Sequence, residues 1–235
     1  MPELVRVALP GGDSVSARHY AAEGDSCGAT LVLAHGAGAP HTHPFMVAFG
    51  GGLAARGLDI VTFNFPYMEA RRRVPDRAAV LESCYLSIVA YIRALDRLGS
   101  GALFVGGKSM GGRMASHLAA HHAQDAGPLA GLVFLGYPLH PPGRPDKPRD
   151  AHLAAIAAPM LFVQGSRDSF GTPEEVKTVI DRLGHGAELL VVENGDHSFA
   201  VPRGGPIPQA AVYARIQDAI ASWVTRHARA GAIGC

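Results

Sequence analysis

Six short runs of apolar residues recur along the chain: ATLVLAH (29–35), DIVTFNF (59–65), ALFVGGK (102–108), GLVFLGY (131–137), PMLFVQG (159–165) and AELLVVE (187–193). Runs of this length, without alternation and bounded by Gly or Pro, fit strands covered on both faces, as in a parallel sheet. Two earlier segments, 4–9 and 14–20, alternate apolar and polar positions around Gly11-Gly12 and predict an opening hairpin. Between the runs the period changes. Leu81, Cys84, Tyr85, Ile88, Ile92, Leu95 and Leu98 recur at spacings of three and four, one face of a long helix. Val212, Ile216, Ala219, Ile220, Trp223 and Val224 repeat that pattern near the C-terminus. Thr172-Pro173-Glu174-Glu175 reads as a helix start, with a cap, Pro at the first position and acids at the positive end of the dipole. Strands alternating with helices after a hairpin predict an α/β fold: a three-layer, mostly parallel, doubly wound sheet with helices on both faces. Sites in such sheets lie at the carboxyl ends of the strands.

Composition narrows this little but excludes a good deal. The 235 residues suit one α/β domain spanning the chain, with no repeat or linker dividing it. A net charge of +1 provides no field that would draw the chain onto nucleic acid or an anionic membrane. The start, MPELVRVALP, has no apolar core of a signal peptide, and the apolar stretch 153–163 is broken by Pro159. Cys27, Cys84 and Cys235 are few and far apart, which predicts free thiols and a cytoplasmic protein.

The candidate chemistry begins where the run 102–108 enters Gly107-Lys108-Ser109-Met110-Gly111 and an Ala-rich helical stretch. G-x-S-x-G between a strand and a helix is the context in which a sharp turn exposes the serine at a helix N-terminus. A phosphate-binding loop also ends in GlyLysSer, but its first Gly would fall at Ala102, inside a strand. A nucleophilic serine needs a base, and the base an orienting acid. Asp168 follows the run 159–165 and His197 follows 187–193, so Ser109, Asp168 and His197 stand in chain order at three strand ends. Asp196 adjoins His197, but neighbouring side chains point apart, which favours Asp168 as the partner. The small-residue loop His35-Gly36-Ala37-Gly38-Ala39 follows the first run, so the amides of Ala37 and Met110 are the expected oxyanion donors.

HGAGAP, FNFPYM, GGKSMGGR, GYPLHPPG and GDHSF together resemble the α/β-hydrolase superfamily over essentially the whole length. The likeness is greatest to small capless serine hydrolases near dienelactone hydrolase and to an α/β-hydrolase-like domain subgroup. The elbow departs from dienelactone hydrolase itself, whose nucleophile is Cys, because Ser109 stands here. The resemblance implies a carboxylesterase-like enzyme with a Ser-His-Asp triad, an acyl-enzyme, no cofactor and a small-molecule acyl substrate. Only about twenty residues separate the runs 131–137 and 159–165, so no cap is expected and the pocket should be open. The Pro- and Gly-rich stretch 201–208 is the segment best placed to fold over it. Two other classes remain open: a binding or scaffold protein on the same fold, and a triad enzyme acting on peptides or thioesters.

Weaker signals complete the set. Arg71, Arg72 and Arg73 follow the run 59–65 and could hold an anionic substrate group, although a charge run is commonly a solvated loop. Gly38, Tyr137 and His140 are candidate lining residues, and Lys108 adjoins the nucleophile. His117 and His121 have the i, i+4 spacing of zinc ligands, but no HExxH glutamate or third ligand is evident, and His41 and His43 lack partners too. No metal site is therefore expected.

Overall fold

The computed structural model describes residues 2–184, 186–202, 204 and 207–232. Eight strands form one sheet: β1 (Glu3–Ala8), β2 (Ser14–Tyr20), β3 (Ala29–Ala34), β4 (Asp59–Phe63), β5 (Ala102–Lys108), β6 (Gly131–Leu135), β7 (Met160–Gly165) and β8 (Ala187–Val192). Their order is β1-β2-β4-β3-β5-β6-β7-β8. The hairpin joins antiparallel to β4, and every pairing from β4 to β8 is parallel. The helices are α1 (Pro44–Ala54), α2 (Pro66–Glu69), α3 (Ala78–Arg93), α4 (Asp96–Gly99), α5 (Met110–His121), α6 (Ala123–Ala126), α7 (Pro173–Leu183) and α8 (Gln209–Ala232), with a 3-10 turn at Ala151–Ala155. This is the α/β-hydrolase arrangement. Residues 136–159, between β6 and β7, form a loop with that single turn and no cap. No helix among the described residues is long and apolar enough to cross a membrane.

The sheet separates two apolar layers. Leu81, Tyr85, Ile88, Met114 and Leu118 of α3 and α5 pack with Val176 of α7 on one face. Phe45, Phe49, Ile220 and Trp223 of α1 and α8 pack on the other. The continuous apolar runs of β3 to β7 follow from this double cover, since both faces of each strand leave water. β8 departs from that expectation. It is an edge strand, only partly covered, with Val191 exposed. The long helix expected through Leu98 is also interrupted: α3 ends at Arg93, Leu95 turns extended, and α4 returns Leu98 to the core. Thr172 caps α7 in a complete capping box with Glu175.

Tyr85 ties α3 to the centre of the sheet. Its Oη accepts from the Gly106 amide at 2.9 Å and lies 2.7 and 2.9 Å from the Gly106 and Val32 carbonyls. Phenylalanine would fill the same volume but leave that buried amide unpaired. Tyr85→Phe should therefore cost about 1–3 kcal/mol. Urea denaturation checks this, and an unchanged midpoint would refute it.

Candidate active site

The turn after β5 sets the site. Ser109 adopts φ 50° and ψ −115°, outside the ordinary regions for a residue with a side chain. Its own amide donates to the Leu135 carbonyl at 3.0 Å. Gly111 permits the sharp turn because a Cβ there would lie 2.3 Å from the Ala34 carbonyl oxygen. Ser109 thus stands over the sheet at the first turn of α5, with its hydroxyl raised from the backbone.

His197 meets it from the loop after β8. The Ser109 hydroxyl lies 2.8 Å from His197 Nε2, and the opposite nitrogen, Nδ1, lies 2.8 Å from Asp168 Oδ2 and 3.0 Å from Oδ1. Asp168 is 1% exposed, so its charge must be met inside the protein. The Phe170 amide donates to Oδ1 at 2.8 Å and Gln164 Nε2 donates to Oδ2 at 2.8 Å. Asp196 is turned elsewhere: its Oδ1 accepts from the amides of Ser198 and Ala200 at 2.7 and 2.9 Å and closes the loop.

Ala37 and Met110 flank Ser109 in a cavity of about 540 Å3. Neither amide is spent on a hydrogen bond to another described residue, and Tyr67 Oη steadies the Ala37 carbonyl at 2.8 Å. His35 secures the loop from below. Burial holds its pKa at about 4, so the ring is neutral, with Nδ1 donating to the Gly36 carbonyl and Nε2 accepting from the Phe65 amide.

Several sequence candidates fall elsewhere. Tyr137 does not line this cavity. It is fully buried, and its hydroxyl donates to the Arg149 carbonyl at 3.0 Å, because the chain bends inward at Gly136. His140 is likewise withdrawn, with Nδ1 on the Pro141 carbonyl and Nε2 beside Glu175. Arg71, Arg72 and Arg73 line a separate depression with Ala37 and Gly38, and Arg72 pairs with Asp76 at 2.6 Å. Gly38 borders both cavities. His41 contacts Ser16, and His43 caps α1. The stretch 201–208 includes residues 203, 205 and 206, and these, like Cys235, lie outside the described ones.

Other residues enter that sequence reasoning missed. Phe170 stacks on the His197 ring at 4.2 Å between centroids and 27° between planes. Gln164 was visible only as a polar residue in an otherwise apolar run. Arg113 lies one turn beyond Ser109 on α5 and Arg149 in the β6–β7 loop, and both line the cavity with Lys108. The Arg113 Nε is buried without a hydrogen-bond partner among the described residues. Burial, then repulsion from Arg113, depresses the Arg149 pKa. Among the described residues, no carboxylate lines the cavity.

A sequence profile of the α/β-hydrolase domain family matches residues 27–225. A lidless α/β serine hydrolase from Xanthomonas campestris superposes with a TM-score of 0.71 at 16% identity, over 95% of each chain. Dienelactone hydrolase from Anabaena variabilis gives 0.72 at 17% identity, over 96% of this chain and 97% of that one. An esterase from Pyrococcus furiosus gives 0.68 at 15% identity, over 97% and 90%. At such identities the likeness is one of fold.

Proposed function

Because the chain belongs to the α/β-hydrolase domain family, we propose that it is a single-domain serine hydrolase that cleaves small acyl esters bearing an anionic group. The observation that carries the reading is the unbroken hydrogen-bonded line from Ser109 through His197 to Asp168. Ser109 Oγ attacks the ester carbonyl as His197 Nε2 takes its proton, and Asp168 fixes the tautomer and stabilises the imidazolium. The amides of Ala37 and Met110 hold the tetrahedral oxyanion. Collapse expels the alcohol, which takes the proton from His197. Water then attacks the acyl-enzyme, again giving its proton to His197, which returns it to Ser109 Oγ as the acid product leaves.

The charge of the cavity favours an anionic group. Lys108, Arg113 and Arg149 face one cavity with no acid among its described lining residues, so a negative substrate group would pair with that positive charge. Arg71, Arg72 and Arg73 line the neighbouring depression.

A fluorophosphonate probe should label the protein at one site, and Ser109→Ala should abolish labelling. Absence of labelling in the parent protein would favour the binding-protein reading. For the charge, mono-p-nitrophenyl adipate should be turned over with higher kcat/KM than p-nitrophenyl hexanoate. Arg113→Gln should reduce that ratio by about tenfold, because a charge-assisted contact is lost from one ester only. A ratio unaffected by the substitution would remove Arg113 from substrate binding.

A further inference from the structure

Away from the cavity, the packed faces of α3 and α5 gather histidines around one carboxylate. His117 and His121 stand one turn apart on α5, with ring centroids 5.3 Å apart. Glu82 reaches them from α3: its Oε1 accepts from His117 Nδ1 at 2.8 Å and its Oε2 from His122 Nε2 at 3.1 Å. His152 stands edge-on to His117 at 4.4 Å, with its Nε2 engaged by Ser116 Oγ at 2.8 Å. One donor atom each from Glu82, His117 and His121 lies within 4.8 Å of the other two. The i, i+4 histidines were visible in the sequence, and the tertiary fold supplies the third donor from 35 residues upstream.

We propose that Glu82, His117 and His121 bind a divalent ion of the zinc class and thereby clamp α5 to α3. Two imidazoles and a carboxylate form a borderline nitrogen and oxygen donor set that suits zinc better than magnesium or calcium. Bonds of 2.0–2.1 Å in tetrahedral geometry put ligand atoms about 3.3 Å apart. The three donor atoms lie within 4.8 Å of one another, so the widest separation has to close by at most about 1.5 Å. The exposed His121 ring is free to supply this by rotating about its side-chain bonds.

Binding through His117 Nδ1 moves the ring proton to Nε2, so the imidazole stays neutral. Arg113, one turn before His117, opposes a cation there, while Asp125 lies 4.0 Å beyond His122 and adds negative charge. His117 is eight residues past Ser109, about 12 Å along the helix. The clamp thus acts on the helix that carries Ser109, and its effect is on stability.

The test uses untagged full-length protein, stripped with a chelator and titrated with zinc chloride by calorimetry and thermal melting. One ion per chain is expected. At a hundredfold excess over Kd the midpoint should rise by roughly 5–10 °C. His121→Ala removes an exposed ligand and should abolish the rise, while its metal-free midpoint reports that the fold is intact. Glu82→Gln, read by calorimetry, should weaken binding by at least about tenfold. No binding near one equivalent, or a zinc-dependent rise retained in His121→Ala, would overturn the site. The cluster would then be a hydrogen-bonded network serving only to satisfy a buried carboxylate.

Discussion

Asp168→Asn will lower kcat toward small esters by about 10^3–10^4-fold, while Asp196→Asn will change it little. Both oxygens of Asp168 face His197 Nδ1, and each also accepts a hydrogen bond, from the Phe170 amide or from Gln164 Nε2. An asparagine there can present its amide nitrogen to Nδ1 and so favour the tautomer with the proton on Nε2. That tautomer cannot take a proton from Ser109. The amide also carries no charge to stabilise the imidazolium. Asp196 instead holds the turn through the amides of Ser198 and Ala200, so its replacement loosens the loop but leaves the Asp168 contact. Steady-state rates of the two variants decide the matter. Equal losses, or a larger loss for Asp196→Asn, would require a different orienting acid with Ser109 and His197 kept.

Lys108→Met should stabilise the protein at pH 7 by on the order of 3 kcal/mol, with a midpoint roughly 5–10 °C higher. Lys108 is 8% exposed, and its Nζ has no hydrogen-bond partner among the described residues. Burial pulls its pKa from 10.5 down to about 8, against the attraction of Asp168 and Asp196. Below pH 8 the folded and unfolded chains both hold this proton, and the fold carries the full cost of a buried ammonium. Between pH 8 and about 10.5 the unfolded chain binds more protons, so this contribution makes stability rise with pH until the penalty is gone. The advantage of Lys108→Met should therefore be largest at neutral pH and shrink toward pH 10. Urea denaturation across that range measures it, and a variant less stable than the parent at pH 7 would refute it. A charge that costs stability where the cavity meets Ser109 and His197 is the kind of local conflict that functional sites retain.

The strands were legible because burial on both sides of a sheet writes continuous apolar runs, and the observed β3 to β7 stay within a residue or two of those runs. Ser109, Asp168 and His197 were legible for a related reason: a parallel sheet puts every strand's carboxyl end on one edge, so chain order alone brought three separated residues together. Local patterns could not say where a helix would be interrupted, as α3 is before Leu98, or which strand would lie at the edge, as β8 does. Side-chain direction was also hidden. Tyr137 and the arginines at 71–73 occupy loops on the expected edge, yet one turns into the core and the others border a separate depression. Arg113, Gln164 and Glu82 carried no motif. Arg113 gains its place because one helical turn beyond Ser109 faces the cavity, and Gln164 because a polar side chain inside β7 meets a buried carboxylate. Glu82 approaches His117 only because α3 packs on α5. Periodicity records how much of each residue leaves water, and that determines the elements and their order. Which side chains share a cavity depends on contacts between segments far apart in sequence, and only the packed structure decides those.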